Sequence, residues 1–213
     1  MLEAVIFDFD GTLVDTESIK SLAYEKTILF FGASPVKNSL GLVHYPGKSR
    51  SWHWRMIKDT YNLNISEDDF HGKRLQTYDS LVGGVKFMDG VFDTLNKLAV
   101  SGKRLGLVTL SDRIFVEKIL NNLNASHFFE TVITGDDAKR HKPDPEAYVL
   151  CLDRLGIEKE KAIAVEDTEQ GVQSAKDAGL RVLAVPNVYT KDQDFGVADT
   201  MYVSIVDINF DIY

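Results

Sequence analysis

Two aspartates separated by one residue follow a short apolar run near the start of the chain. Asp8 and Asp10 come directly after the run at residues 5–7, and Gly11 and Thr12 follow them. A carboxylate can attack phosphorus to form an aspartyl-phosphate, and a neighbouring carboxyl group can protonate the leaving oxygen and then activate water. The pattern suits Asp8 as nucleophile and Asp10 as general acid and base. The alternative is an ordinary turn at a strand end, since Asp and Gly are favoured in turns for backbone reasons alone.

A second acidic pair has the same relation to an apolar run. Glu166 and Asp167 follow the run at residues 162–165. If both pairs meet at one edge of a sheet, four carboxylates repel one another and require compensation. A hard divalent cation with oxygen ligands provides it, and Mg²⁺ suits a site made of one or two carboxylates, water and substrate phosphate. The two pairs therefore predict a magnesium site.

Donors for a phosphate group stand at two further positions. Thr109 follows the apolar run at 105–108 and offers a hydroxyl, and the backbone N–H of Leu110 adds a donor. Lys142 precedes Pro143, which disfavours a helical conformation for the lysine and keeps its ammonium group in a loop before the next helix. A lone Thr or Lys-Pro pair is unremarkable. The order and placement of the set favour phosphate binding.

The elements that must position these residues alternate along the chain. Short apolar runs that end in polar residues predict buried strands, and segments of helical length and period lie between them. This pattern predicts the α/β class, with a Rossmann-like, doubly wound parallel sheet that binds ligands outside the carboxyl ends of its strands. The strands are predicted at 5–7, 105–108, 132–133 and 162–165, and the helices at 91–100, 115–123, 146–155 and 168–178.

A helical insert interrupts the alternation after the first strand. Residues 15–84 have helical rather than strand patterning, so we predict a helical cap there and an α/β catalytic core formed by residues 1–14 and 85–213. Within the insert, Lys48 and Arg50 lie beside a flexible glycine, Gly47. The two cations could reach a distal phosphate or hydroxyl of a substrate. They could equally be solvated residues of the insert.

Composition excludes several classes of protein. The 213 residues are 44% apolar and 26% charged, which is typical of soluble domains. The net charge of -8 argues against nucleic acid as a partner, although a local pocket of donors can still bind a small phosphorylated metabolite. No stretch approaches a transmembrane span, and the N-terminus lacks a signal-peptide pattern, so we expect a cytoplasmic protein that does not bind membranes. The oligomeric state is left open, and a monomer is plausible.

Taken in chain order, the motifs resemble the four-motif signature of the haloacid dehalogenase-like hydrolase superfamily. The insert after the first motif and the segment 171–179 after the fourth are similar to the β-phosphoglucomutase and phosphoglycolate phosphatase branch. The match covers nearly the whole chain. The residues that carry it are Asp8, Asp10, Gly11, Thr12, Thr109, Lys142, Pro143, Asp144, Pro145, Glu166 and Asp167.

The resemblance implies a role for each acid. Asp8 would be nucleophile and metal ligand, and Asp10 would be general acid and base and a ligand through its backbone carbonyl. Asp167 would bind the metal directly, and Glu166 would be a nearby or water-mediated ligand. The departures from the family pattern are modest: Leu110 stands where a small or polar residue is common.

The resemblance also implies that Thr109 and Lys142 hold the transferring phosphate and that the insert is a mobile cap over the site. We therefore predict a Mg²⁺-dependent phosphatase that hydrolyses a small phosphomonoester, such as a sugar phosphate or similar metabolite. One rival is a phosphomutase of the β-phosphoglucomutase kind, which returns the phosphoryl group to a sugar hydroxyl. Another is a non-catalytic relative that binds a phosphate ligand, although its usual mark, loss of a motif acid, is absent.

Overall fold

The computed structural model describes residues 2–48 and 50–213, which fall into two compact units. One unit comprises the chain up to Asp15 together with Lys86–Tyr213, and the other is Thr16–Val85. Within the described ranges the chain forms six strands, seven α-helices and several short 3₁₀ turns. The first unit is an α/β layer structure, and the second is helical.

A six-stranded parallel sheet forms the centre of the first unit. Its strand order is β3-β2-β1-β4-β5-β6. In the middle of the sheet, Phe7 of β1 lies opposite Leu107 of β2 and Val165 of β4, so these three strands end at the same edge. The predicted parallel α/β fold is confirmed. The strands are β1 Ala4–Phe7, β2 Arg104–Val108, β3 Thr131–Ile133, β4 Ala162–Glu166, β5 Arg181–Ala184 and β6 Thr200–Met201.

The helices follow the strands closely. Gly156 has a left-handed backbone (φ 62°) and ends the sixth helix, whereas the Thr168 side chain accepts a hydrogen bond from the Gly171 N–H and begins the seventh. Within the described ranges, none of the helices is long and apolar enough to cross a membrane. The helices are α1 Glu17–Phe30, α2 Arg50–Tyr61, α3 Glu67–Leu81, α4 Val91–Val100, α5 Arg113–Asn122, α6 Glu146–Leu155 and α7 Glu169–Asp177.

One buried core cluster of the α/β unit lies between the sheet and helices α6 and α7. Every residue of β1 is buried, as expected for a parallel strand covered on both faces. Ile6, Tyr148 and Val172 belong to one buried cluster. A Cβ atom on Gly106 would lie 2.6 Å from the Cys151 sulfur, so this glycine allows α6 to approach β2 closely. The tight packing fixes the position of α6 against the sheet.

The helical unit has a separate apolar core. Tyr24 and Ile28 of α1, Trp54 and Ile57 of α2, and Phe70 of α3 are buried together. Each helix therefore packs one apolar face inward, as its sequence pattern predicts.

Candidate active site

Asp8 lies at the carboxyl edge of the sheet because the hydrogen-bond ladder continues one residue past β1. Its backbone N–H donates to the carbonyl of Val165 at 2.9 Å, which ties the residue to β4. The residue is 8% exposed. A strand that is buried on both faces thus presents a single nearly buried carboxylate at its end.

Lys142 is the cationic partner of this carboxylate. Its ammonium nitrogen lies 2.6 Å from Asp8 Oδ1, 2.6 Å from Glu166 Oε1 and 3.2 Å from the carbonyl oxygen of Val108. The lysine is buried and precedes α6, so the loop position expected from Pro143 is observed. All three protons of the ammonium group therefore have acceptors, contributed by the ends of β1, β2 and β4.

Glu166 is fully buried and surrounded by donors. Its Oε1 accepts hydrogen bonds from Lys142 and from the Tyr148 hydroxyl at 2.6 Å, and its Oε2 accepts from the Asp167 N–H at 3.2 Å and from the Thr168 hydroxyl at 3.4 Å. A Cβ atom on Gly171 would lie 2.1 Å from this carboxylate. The glycine in the first turn of α7 thus provides the space that the carboxylate occupies.

The reasoning from sequence did not find Tyr148 or Gly171. Tyr148 is buried, and Lys142 lies 5.1 Å from its ring centroid. A tyrosine in the first turn of the helix that follows the lysine is a usable signal, because buried tyrosines normally find a partner for the hydroxyl. Gly171 could have been noticed as a glycine within a predicted helix, where it costs stability unless another group needs the space.

Asp167 is held against the turn that follows β1. Its Oδ1 accepts a hydrogen bond from the Thr12 hydroxyl at 3.3 Å, and its Oδ2 accepts one from the Asn187 side-chain amide at 2.7 Å. Gly11 has φ +88°, and a Cβ atom on it would lie 2.4 Å from Asp167 Oδ2. Both the backbone conformation and the close approach therefore require glycine at position 11. Asn187 was not found from the sequence.

Three of the predicted acids form one group that could hold a metal ion. Asp8, Glu166 and Asp167 each offer a carboxylate oxygen, and these atoms all lie within 4.8 Å of one another. All three residues are buried. Lys142 brings one positive charge against three carboxylates, and an oxygen-only ligand set with surplus negative charge fits a hard divalent cation. The structure thus has a buried acidic group that could hold a metal ion at the predicted place.

Asp10 has a different environment from the other three acids. Its Oδ2 accepts hydrogen bonds from the Thr109 hydroxyl at 2.9 Å and from the Ser111 hydroxyl at 2.6 Å. The Thr109 oxygen in turn accepts from the Ser111 N–H at 3.0 Å. Thr109, predicted to donate to phosphate, thus donates to Asp10 in this structure, and Ser111 is a further partner that sequence reasoning missed.

Leu110 lies between these two hydroxyl residues. Among the described residues, its backbone N–H has no hydrogen-bond partner, in contrast to the N–H groups of Thr109 and Ser111. A backbone N–H of this kind at the end of a parallel strand can donate a hydrogen bond to an anion without giving up an existing bond.

The electrostatics of the group follow from its burial and its surplus of negative charge. Burial, the Glu166 carboxylate and the Asp10 carboxylate raise the pKa of Asp8 to about 8, although Lys142 acts in the opposite direction. Burial alone would lower the pKa of Lys142, but Asp8 and Glu166 outweigh it and hold that pKa above its ordinary value. Burial and Glu166 raise the pKa of the Tyr148 hydroxyl, which therefore stays protonated as a donor.

The two predicted substrate residues of the insert lie on the surface of the helical unit. Lys48 is exposed, and its ammonium nitrogen lies 5.9 Å from the ring centroid of Trp52. Arg50 begins α2 and lies 3.5 Å from Glu67 Oε1. Ser49, between them, lies outside the described residues. The role of Lys48 and Arg50 in substrate binding stays a prediction.

Comparison with known proteins identifies the family. The family model described as haloacid dehalogenase-like hydrolase matches residues 5–185. A phosphorylated carbohydrates phosphatase of Thermotoga maritima is 31% identical, with 84% of this chain and 82% of the relative covered. The structure of CbbY from Rhodobacter sphaeroides in complex with phosphate has a TM-score of 0.84 at 27% identity, covering 96% of this chain and 95% of that one.

A third similar protein bears on the mutase branch. A Thermotoga maritima structure provisionally described as a β-phosphoglucomutase has a TM-score of 0.76 at 26% identity, and the match covers 94% of each chain. The resemblance read from the four motifs is confirmed, and the chain belongs to the haloacid dehalogenase-like hydrolase family.

Proposed function

We propose that the protein is a Mg²⁺-dependent phosphatase that hydrolyses a small phosphomonoester through a phosphorylated Asp8. The observation that carries this proposal is the position of Asp8, which ends a buried strand and meets the Lys142 ammonium group at 2.6 Å. A carboxylate in that place lies beside one cation at the carboxyl edge of the sheet. Membership of a hydrolase family with phosphatases among the relatives supports the reaction class.

The acidic group fits Mg²⁺ by its chemistry. We assign Asp8, Asp167 and the backbone carbonyl of Asp10 as the protein ligands. Each oxygen of Glu166 already accepts two hydrogen bonds, whereas each oxygen of Asp167 accepts one in the contacts described above, so we assign Glu166 to the cation through water or through its charge alone. When bound, Mg²⁺ would neutralise charge on the transferring phosphoryl group.

The first half of the reaction uses Asp8 as nucleophile. An oxygen of Asp8 attacks phosphorus, and the bond between phosphorus and the ester oxygen breaks as the Asp8–phosphorus bond forms. The Leu110 N–H holds one phosphoryl oxygen, and Lys142 and the Thr109 hydroxyl hold the others after each gives up a hydrogen bond of the resting enzyme. Asp10 in its protonated form gives its proton to the leaving alcohol.

The second half returns the enzyme to its starting state. Asp10, now ionised, takes a proton from water as the water oxygen attacks phosphorus. The Asp8–phosphorus bond breaks, inorganic phosphate leaves, and the Asp8 carboxylate is restored. Hydrogen bonds from Thr109 and Ser111 fix the orientation of Asp10 in the resting enzyme.

Substrate choice is assigned to the insert. We propose that residues 15–84 act as a cap, that residues 1–14 and 85–213 act as the catalytic core, and that Lys48 and Arg50 contact the part of the substrate beyond the reacting phosphate. A sugar phosphate or similar metabolite is the substrate class that we favour, because the similar Thermotoga maritima protein is named as a phosphatase of phosphorylated carbohydrates.

A panel of sugar phosphates together with p-nitrophenyl phosphate tests the proposal. Purified protein should release inorganic phosphate from at least one of them with Mg²⁺ present and should stop when EDTA is added. Asp8→Asn should release none, whereas Asp153→Asn, on the exposed face of α6, should match the wild type. Release that persists in EDTA, or in Asp8→Asn, would contradict the proposal.

A phosphomutase is the second candidate, favoured by the similarity to the structure provisionally described as a β-phosphoglucomutase. Incubation with β-glucose 1-phosphate and Mg²⁺ separates the two activities. Free phosphate indicates hydrolysis, whereas glucose 6-phosphate without free phosphate indicates the mutase and refutes the hydrolase. A non-catalytic relative would give neither product.

A further inference from the structure

We propose that Asn187 is a positioning residue that holds the Asp167 carboxylate in place for the divalent cation. The inference rests on the proposed function, because it assigns Asp167 to that cation. The Asn187 side-chain nitrogen donates to Asp167 Oδ2 at 2.7 Å and to the carbonyl oxygen of Gly11 at 3.2 Å. One amide group therefore joins the loop after β5 to the end of β4 and to the turn after β1.

The orientation of the Asn187 amide is fixed by its own loop. Its Oδ1 accepts a hydrogen bond from the Tyr189 N–H at 2.8 Å, so the NH₂ group must point the other way, toward Asp167. The Asn187 N–H donates to the Thr190 hydroxyl at 3.0 Å, and the Asn187 carbonyl accepts from the N–H groups of Thr190 and Lys191. The turn thus presents two amide protons in one direction.

The contact matters because it helps to fix the orientation of the Asp167 carboxylate. Thr12 bonds one oxygen and Asn187 the other, which sets the plane of the carboxylate. Glu166, by contrast, accepts a hydrogen bond from the Lys142 ammonium group. The Asn187 amide is neutral, so it orients the Asp167 carboxylate without adding a positive charge beside it. Loss of such an outer partner typically weakens metal binding by about 10–100-fold.

Packing around the amide supports a specific role. A Cβ atom on Gly11 would lie 2.7 Å from the Asn187 side-chain nitrogen, so the backbone turn and the amide fit closely against each other. The amide is therefore held from two sides, by Gly11 and by its own turn. Any side chain without a donor at position 187 leaves Asp167 Oδ2 without this bond.

Binding of Mn²⁺ as a spectroscopic probe, followed by electron paramagnetic resonance on the metal-free full chain, tests the inference. Asn187→Leu keeps a side chain of similar size without a donor, and Asn187→Ala removes it. Both should weaken Mn²⁺ binding by about 10–100-fold relative to wild type. The matched control is Asn209→Ala, since Asn209 is another asparagine of the α/β unit whose side chain accepts from the Asp211 N–H near the C-terminus. Its Mn²⁺ affinity should be unchanged.

Steady-state kinetics supply a second readout. If Asn187 positions the metal ligand, the Mg²⁺ concentration for half-maximal activity rises in both variants, and kcat recovers at saturating Mg²⁺. Thermal midpoints measured without metal identify any loss of folding. If one of Asn187→Leu and Asn187→Ala unfolds, the other still provides the test.

Three outcomes overturn the inference. Wild-type Mn²⁺ affinity in both variants means that the contact does not position the ligand. Weak binding in Asn187→Ala with normal binding in Asn187→Leu means that packing, and not the hydrogen bond, carries the effect. If the wild-type protein does not bind Mn²⁺, the metal is removed from the proposed function as well. If the wild type binds Mn²⁺ and only the expected loss in the variants is missing, the inference alone fails.

Discussion

Two buried carboxylates, one in each compact unit, have opposite electrostatic surroundings. In the helical unit, Glu17 lies 2.6 Å from His44 and 3.1 Å from Lys20. Burial raises the pKa of Glu17, but Lys20 and His44 outweigh it and bring that pKa to about 2. In the α/β unit, burial and neighbouring acids raise the pKa of Asp8 to about 8.

The difference separates a structural ion pair from a site prepared for a ligand. Glu17 has a local cation, Lys20, that matches its charge, and a hydrogen-bond partner, His44, as stable folding alone requires. Asp8 shares one lysine with Glu166 and lies within 4.8 Å of further carboxylate oxygens. Burial by itself therefore does not mark function, whereas buried charge without a matching partner does.

Among the variants proposed here, Asp8→Asn should have the largest effect on activity. It keeps the shape of the side chain but removes the nucleophile, so phosphate release should fall by about 10⁴-fold or more. The fold should be retained, as checked by circular dichroism. Asp153→Asn is the exposed control. A variant with wild-type rates would remove Asp8 from the mechanism.

Lys142→Met removes the cation that the two buried carboxylates share. Leaving buried charges without their partner should lower the free energy of unfolding by about 3 kcal/mol, and loss of a phosphate donor should also reduce kcat/KM. Urea denaturation and kinetics measure the two effects. Lys97→Met, on the exposed face of α4, should change neither. An equally stable Lys142→Met protein would show that the buried cation does not stabilise the site.

Glu17→Gln tests the buried ion pair of the helical unit through the pH dependence of protein stability. Because the pKa of Glu17 is lowered in the folded protein, its stabilising contribution is complete above the ordinary value of 4.5 and is lost as the pH falls toward 2. At neutral pH the variant should be less stable by roughly 3 kcal/mol. Urea denaturation at a series of pH values should show the two proteins converging on acidification. A constant difference would contradict the assignment.

Lys48→Ala and Arg50→Ala should have the smallest effects on stability and kinetics. Both side chains are exposed, so the free energy of unfolding should change by less than about 0.5 kcal/mol. If they contact the substrate, KM should rise by about tenfold, which corresponds to roughly 1.4 kcal/mol. Lys58→Ala is a matched control, because Lys58 also lies over a tryptophan ring, at 6.0 Å, on α2. Unchanged KM values in both variants would leave these residues without a role in binding.

The sequence predicted the first four strands of the chain, β1 to β4, but not the last two. The apolar runs that became β1, β2 and β4 are long enough to read as buried strands, and α4 and α6 have the predicted bounds. β5 and β6 were not predicted. β6 is a two-residue strand whose Met201 is 64% exposed, so it lacks the apolar run that marks a buried strand.

The hydrogen-bond partners of the site residues were harder to predict from the sequence than the places of those residues at the strand ends. Asp8 and Lys142 are 134 residues apart, and only the parallel order of the strands brings them together. The direction of a side chain at a strand end depends on its neighbours, which is why Thr109 bonds Asp10 in the structure. The hydrogen bonds from Tyr148 to Glu166 and from Asn187 to Asp167 join residues 18 and 20 positions apart, and no spacing rule encodes such pairs.

The most direct test of the central claim is to trap the phosphorylated enzyme. Protein that is turning over a phosphate-labelled substrate identified in the panel is quenched in acid, digested and analysed by mass spectrometry. The account predicts the mass of one phosphoryl group on the peptide that contains Asp8, lost on treatment with hydroxylamine and absent from Asp8→Asn. Phosphate release with no label on that peptide, or with the label on another residue, would contradict it.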